Sequence, residues 1–206
     1  MRTILALDAA LAGSSAGVVV QSRLVACRRA ADGQGARLAD MARVVLREAQ
    51  GAIDGIAVTV GPGSFTGLRA ALALAHGIGL ATGVPVLGVT VGEAMSYAAP
   101  PSREFWAAID SKRGRIFLER GGDVASLALD ELPTPEGKVA VAGDAAIAVA
   151  CWLAAREHDV QLLDIRGPDP LGIALAATRA PRRAAQPLYV DPPAVRPGPA
   201  GRPAPA

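Results

Sequence analysis

Three strand-type apolar runs stand ahead of the first helical one, and that order limits the fold more than any other feature of the chain. Thr3-Ile-Leu-Ala-Leu-Asp8 is a short apolar strand ending in a carboxylate. Ala16 to Gln21 and Leu24 to Ala30 read as two further strands, joined by a tight turn around Ser22-Arg23. Only then does the spacing become helical: over Ala36 to Ala49, the residues Leu38, Met41, Val44, Val45 and Ala49 fall on one face. Ile56 to Val60 follows as a buried β-branched strand, Thr66 to Ala81 as a second helix, Val84 to Val89 as a strand and Val91 to Ala98 as a short helix. Three strands, helix, strand, helix, strand is a mixed α/β unit and excludes a simple alternating βα series.

Pro100-Pro101 marks a boundary. Beyond it, Phe105 to Ile109 and Arg115 to Glu119 pair as a hairpin around Ser111-Lys112-Arg113-Gly114. Lys138 to Ala142 is a strand, Asp144 to Ala155 a helix, Val160 to Ile165 a strand and Leu171 to Thr178 the last helix. The second half therefore repeats the first in shortened form. The expected organisation is one unit over 1–99, a shorter one over 100–180, and a tail over 181–206 whose Pro, Arg and Ala content predicts no fixed structure.

Composition excludes several classes. A chain of 206 residues that is 51% hydrophobic can build one large or two small cores. The uncharged stretch from Ala70 to Gly92 is broken by Pro85 and several glycines, whereas a membrane span needs about 20 residues of continuous apolar helix. The apolar run after Arg2 ends at Asp8, too soon for a signal peptide, so the chain reads as cytoplasmic with no membrane partner. A net charge of +2 argues against a chain-wide nucleic-acid surface. The five arginines from Arg179 onward (Arg179, Arg182, Arg183, Arg196 and Arg202) face only one acid, Asp191, and are candidates for phosphate contacts. Cys27 and Cys151 read as reduced core residues. His76 and His158 belong to no metal-binding pair, and no nucleophile elbow is present, so neither a catalytic set nor a metal site emerges.

The stretch from Val58 to Arg69, VTVGPGSFTGLR, has the Gly-rich look of a phosphate cradle. Gly61 to Gly67 is one residue too long for a P-loop, no lysine follows, and Gly61, Gly63 and Gly67 miss the dinucleotide spacing by one residue. Two readings stay open for Gly61, Pro62, Gly63, Ser64, Phe65, Thr66, Gly67 and Arg69. Either the loop exposes amides at a helix N-terminus, with Ser64 or Thr66 as cap, or the glycines and proline shape a tight strand-to-helix turn. The helix that follows mixes leucines with Ala70, Ala71, Ala73, Ala75, Gly77 and Gly79, small residues that admit a close helix neighbour. Its stripe Leu68, Ala71, Leu72 and Ala75, with Leu38, Met41 and Val45 of the first helix, packs either on its own sheet or on another subunit. Asp8 could hold a metal-bound phosphate or cap a turn.

Thr3 to Asp8, Gly61-Pro-Gly-Ser-Phe-Thr-Gly-Leu-Arg69 and Ala107-Ala-Ile-Asp-Ser-Lys-Arg-Gly114 together resemble the TsaB family, also called YeaZ, and Pro187-Leu-Tyr189 resembles its closing signature. The resemblance runs from Met1 to about Tyr189. It implies an actin-like (ASKHA, ribonuclease H-like) fold with two related lobes, the second shortened. It also implies a non-catalytic dimerisation subunit that supports a TsaD-type transferase in placing threonylcarbamoyl on adenosine 37 of tRNA (the t6A modification), with a TsaE-type ATPase joining the complex. The two-helix stripe would then be the partner interface, serving a homodimer when the partner is absent. The implied contact with tRNA is through the complex, and ATP or ADP could sit at the partner interface, with no cofactor firmly bound. Ala9-Ala-Leu-Ala12 stands where active actin-like enzymes carry Gly, Ser and Thr, so Asp8 would be a vestigial phosphate site. The rival reading is an enzyme: a degenerate actin-like ATPase or a metal-dependent peptidase.

Overall fold

The computed structural model describes residues 3–31, 35–179 and 183–190. The first half opens with β1 (Thr3–Asp8), β2 (Ser14–Val20) and β3 (Arg23–Ala30), continues through α1 (Leu38–Ala49), β4 (Gly55–Gly61) and α2 (Phe65–Thr82), and ends with β5 (Val86–Thr90) and α3 (Val91–Met95). β2 and β3 pair antiparallel beside β1, while β4 and β5 lie parallel to it, giving the order β3-β2-β1-β4-β5. The β2–β3 turn uses Gln21 and Ser22, both with positive φ (48° and 64°), one residue earlier than the spacing suggests. Paired positive φ matches the twist of a two-residue hairpin.

The second half repeats this plan. β6 (Glu104–Asp110), β7 (Ile116–Arg120), β8 (Asp123–Leu127), β9 (Val139–Ala142), α4 (Ala146–Ala154) and β10 (Val160–Leu162) form a sheet of order β8-β7-β6-β9-β10 with the same parallel and antiparallel senses. The fold is a duplicated mixed α/β unit, the actin-like plan, and its second copy is shorter because the 3-10 turn Leu129–Glu131 stands where α1 stands in the first. The third strand, β8, was not expected: it is a five-residue edge strand with no fully buried position, so it carries no apolar run. Cys27 is half-buried and Cys151 exposed on α4, which corrects the core placement expected for Cys151.

Four apolar clusters organise the chain. α1 and α2 cover one face of the first sheet through Leu38, Met41, Val45, Ala71, Leu72 and Ala75, packed on Leu5, Leu7, Ile56, Val58 and Val60. The other face is covered by α5 (Pro170–Ala177), whose Ile173, Ala174 and Ala177 meet Ile4, Ala6, Ala57 and Val89. By sequence α5 falls within the expected second unit, yet its buried face packs on the first sheet. α4 covers the second sheet through Val149 and Leu153. Between the two sheets, Ala10, Leu68, Val91, Met95, Ala107, Ile109 and Ala142 form a small joint core.

Residues 183–190 correct the expectation that the chain lacks fixed structure from Pro181 onward. β11 (Arg183–Ala184) pairs antiparallel with β5 and closes that sheet edge, Ala185 is buried, and the Leu188 N–H donates to the Val60 carbonyl at 2.8 Å. Strand-edge amides and an apolar cavity rim give this short segment somewhere to bind. Arg183 donates to Glu93 at 3.3 Å; Arg182, Arg196 and Arg202 lie outside the described residues.

One polar contact locks the lobes together. Glu119 of β7 is buried, and its carboxylate accepts from the Thr90 hydroxyl and from the Gly92 N–H at 2.8 Å, at the start of α3 in the other lobe. Thr90 and Glu93 complete a capping box there, with Glu93 N–H donating to Thr90 at 3.0 Å and Thr90 N–H to Glu93 at 2.8 Å. Gly92 is required for the approach, because a Cβ would collide with the Glu119 carboxylate. Burial pushes Glu119 up to about 7, against the pull of its hydrogen bonds, and pushes Asp8 to about 6. Both acids therefore hold their protons more tightly folded than unfolded. Between the ordinary carboxyl range and about pH 7 the folded chain binds more protons, and stability falls as pH rises.

Replacing Glu119 with Gln should flatten the stability–pH profile and raise stability at neutral pH by up to about 3 kcal/mol. Urea titrations at a series of pH values read this; an unchanged slope between pH 5 and 7 refutes the assignment. Gly92→Ala should destabilise by about 1–3 kcal/mol through overpacking, and by less in a Glu119→Ala background, where the colliding carboxylate is gone. Denaturation of the four chains measures that coupling.

Candidate functional site

A cleft of about 630 Å³ opens between the lobes at the carboxyl ends of β1, β4 and β6. One wall is Ala10, Leu11 and Ala12, from the turn after β1, together with Pro62 to Phe65, Leu68 and Arg69. The opposite wall is Asp110, Ser111, Lys112, Arg113, Phe117 and Asp144, and Leu188, Tyr189 and Val190 cross the rim.

The Gly-rich loop is built for packing. Ser64 N–H donates to the Ala10 carbonyl at 2.6 Å, and the Ser64 hydroxyl accepts from Gly67 N–H at 3.2 Å as the α2 cap. A Cβ at Gly63 would strike the Ala10 carbonyl, and one at Gly67 the Ala9 carbonyl. The two turns interlock backbone against backbone, and the loop amide at Ser64 is spent on protein. The interlock has the geometry of a tight strand-to-helix turn.

Asp8 lies beneath that interlock, only 4% exposed. Its Oδ1 accepts from the Thr59 hydroxyl at 2.6 Å and from Ala10 N–H at 3.0 Å. It caps its own turn and does not line the cleft. The matching strand-end acid of the second lobe, Asp110, does line it. Lys112 Nζ sits between Asp110 at 2.9 Å and Asp144 at 3.3 Å, and Asp110 N–H donates to Asp144 at 2.8 Å. Lys112 holds the Asp110 carboxyl below its ordinary range, and Asp110 raises the lysine in turn. Among the described residues no group of three or more His, Cys, Asp or Glu side chains stands together for a metal ion.

At the rim, Phe65 and Tyr189 are 53% and 51% exposed. Their ring centroids are 5.9 Å apart, with the Arg69 guanidinium 3.7 Å over Phe65. Arg69 Nε also donates to the Tyr189 hydroxyl at 3.3 Å.

The helix stripe expected at an interface faces inward. Leu38, Met41, Val45, Leu68, Ala71, Leu72 and Ala75 are all buried, six of them in the core between the helices and the first sheet and Leu68 in the joint core between the lobes. The stripe is thus corrected from contact surface to core. Ala71 and Ala75 are the small residues that let α2 sit close to its own sheet. α2 is apolar nearly all round, so periodicity could not say which face the sheet would take. The face left outside carries Thr66, Ala70, Ala73, Gly77 and Ala81 at i, i+4, i+7, i+11 and i+15, with Leu80 90% exposed beside it. Sequence reasoning also missed Asp144, Phe117 and the Glu119 joint. Gly143-Asp144 directly follows β9, and that strand-end position was the available signal.

Comparison with known proteins places the chain. A sequence model described as TsaD, tRNA N6-adenosine threonylcarbamoyltransferase, matches residues 25–161. An uncharacterized protein of Mycobacterium tuberculosis is 30% identical over 95% of this chain and 94% of its own. The tRNA N6-adenosine threonylcarbamoyltransferase of Tropheryma whipplei is 54% identical over 46 residues, 21% of this chain and 12% of that protein. Among solved structures, YeaZ from Pseudomonas aeruginosa superposes with a TM-score of 0.73 at 25% identity, covering 92% of this chain and 100% of that one. A Pseudomonas aeruginosa protein described as similar to peptidase YEAZ superposes at 0.74 with 24% identity, over 93% and 100%. With its sequence matched by the threonylcarbamoyltransferase model and nearly its whole length by YeaZ, the chain belongs to the TsaD family of tRNA N6-adenosine threonylcarbamoyltransferases, in its YeaZ (TsaB)-like form.

Proposed function

We propose that the chain is the accessory, non-catalytic subunit that binds and supports a TsaD-type transferase in forming t6A at adenosine 37 of tRNA. The observation that carries this reading is the outer face of α2: an 18-residue helix whose stripe Thr66, Ala73, Gly77 and Ala81 is exposed, with Ala70 half-buried among them. Small residues at this spacing allow a second helix to approach closely. A Cβ at Gly77 would have nothing within 4 Å, so that approach is open. Leu74 and Ile78, half-buried, flank the stripe and supply apolar area to a partner. Because the transferase belongs to the same family, partner and self would present related surfaces. The same face then serves a homodimer when the partner is absent. A TsaE-type ATPase and tRNA join through the complex, in the cytosol, where tRNA is modified; no described helix is long and apolar enough to cross a membrane.

The competing reading, a degenerate actin-like ATPase, needs phosphate-facing groups on the first lobe. Asp8 is buried and bonded to Thr59, and the Gly-rich loop lies against Ala9 and Ala10, so the accessory reading is the better supported. For the peptidase alternative, the described residues provide no grouped metal ligands.

Ala73→Arg and Gly77→Arg should leave circular dichroism and melting temperature unchanged, because both sites point to solvent. Each should weaken association with the TsaD-type transferase about a hundredfold, roughly 2.8 kcal/mol. Ala71→Arg, aimed into the core, should lose the fold instead. Titration calorimetry with the purified transferase decides: a folded Ala73→Arg chain that pairs at wild-type affinity removes this face from the interface.

A further inference from the structure

We propose that the mouth of the interlobe cleft is a stacking seat for an unpaired nucleobase of RNA. The chain is poor in aromatic residues, with three Phe, two Tyr and two Trp in 206 residues. Two of these seven are held half-exposed and side by side at one cleft rim, Phe65 at 53% and Tyr189 at 51%. A core does not need them there, and an exposed apolar cluster of large side chains is the informative exception on a protein surface. Arg69 braces both, 3.7 Å over the Phe65 ring and bonded to the Tyr189 hydroxyl at 3.3 Å. The rings are therefore set before anything binds, which lowers the ordering cost of a ligand.

The opposite wall supplies the rest of a nucleotide's chemistry. The Asp110 and Asp144 carboxylates are acceptors suited to the exocyclic amino group of a base. Lys112 ties the two together. The Arg113 side chain makes no hydrogen bond or ion pair to any described residue, so its guanidinium is available to a phosphate. Flat rings and an arginine plane for the base, carboxylates for its edge and one free cation for the backbone is how single-stranded RNA is held. A purely apolar peptide would face two carboxylates and a guanidinium that it cannot satisfy. A free nucleoside triphosphate would bring several negative charges to a wall whose lysine is already neutralised; one backbone phosphate needs only Arg113. The cleft volume of about 630 Å³ suits one nucleotide.

That the RNA is tRNA rests on the accessory-subunit reading. Phe65 and Arg69 open α2, and the proposed partner stripe continues along the same helix, so the seat lies beside the subunit contact. A base splayed out of a strand held by the transferase would meet it there.

The test is fluorescence titration of the full chain against a single-stranded oligoribonucleotide carrying one 2-aminopurine, compared with the same oligonucleotide made abasic at that position and labelled elsewhere. Stacking predicts saturable quenching, and binding on the order of ten-fold weaker for the abasic strand. Phe65→Ala and Tyr189→Ala should weaken binding similarly with circular dichroism intact, while Phe65→Trp retains it. Arg113→Ala should lower the salt slope by about 0.7. Equal affinity for the abasic strand, an unchanged Phe65→Ala chain, or displacement by ATP or an apolar peptide at lower concentration than by oligonucleotide would each overturn the proposal. Transferase titrations of the same variants separate the two ideas. Lost RNA binding with intact pairing supports the seat; a Phe65→Ala chain that loses pairing but not RNA overturns it and leaves the accessory reading standing.

Discussion

Everything at the functional end of this molecule depends on one backbone-to-backbone contact, the seating of the Gly61–Gly67 loop on the turn after β1. Ser64 N–H donates to Ala10 at 2.6 Å, and Gly63 and Gly67 lie where any side chain would strike the Ala10 and Ala9 carbonyls. That contact fixes where α2 begins and hence its rotation about its own axis. With Leu68 turned into the joint core and Ala71, Leu72 and Ala75 turned onto the sheet, Thr66, Ala73 and Gly77 must face outward. It also sets Phe65 on the cleft rim, one residue past the cap. The loop resembles a phosphate cradle, but the second turn takes its Ser64 amide and fills the space beside Gly63 and Gly67.

The lobes meet through a different chemistry. A buried carboxylate on β7 accepts from the Gly92 amide of α3 and from the hydroxyl of its N-cap, Thr90, a polar contact whose desolvation is offset only while those donors are in place. Around it, the joint core is thin: Ala10, Ala107 and Ala142 are small, and Leu68, Val91, Met95 and Ile109 supply most of the bulk. Residues 183–190 tie β5, Val60, Glu93 and the α2 N-terminus, all of the first lobe, to one strap.

Legibility followed the physics of each element. Most of the first sheet was readable because β1, β2, β4 and β5 are buried at nearly every position and its helices are set off by glycine and proline. β4, for instance, is buried at every position. β8 was not readable, since a half-exposed edge strand has no apolar run to announce it. The strap was hidden by composition: Pro and Arg dominate the tail, yet Ala185 and Leu188 are enough to anchor it. At the cleft, the motif loop was identified, but its partners were not. Asp144 and Phe117 reach the cleft through the duplicated topology, and only the strand-end position of Asp144 after β9 hinted at it. The helix stripe failed for a more instructive reason. Leu68, Ala71, Leu72 and Ala75 do form one face, and that face is buried, but against the chain's own sheet and the second lobe.

The outward face of α2 is what the proposed subunit contact would use. An amphipathic surface helix normally turns a polar face to water. α2 has little of one: besides the residues that the sheet takes, it offers Thr66, Thr82, alanines, a glycine, Leu74, Ile78 and Leu80, with the exposed Arg69 and His76 drawn to the Tyr189 and Ala185 side. His76 is spent on the Ala185 carbonyl at 2.8 Å, and Arg69 on Phe65 and Tyr189, so neither solvates the outer stripe. Exposing that stripe permanently would cost solubility without adding stability, whereas covering it with a second helix removes the cost. The small side chains set how: they supply little area each, so the gain requires a close, parallel-sided approach along several turns. A surface of that kind is poorly matched to a small ligand and well matched to another helix of similar geometry.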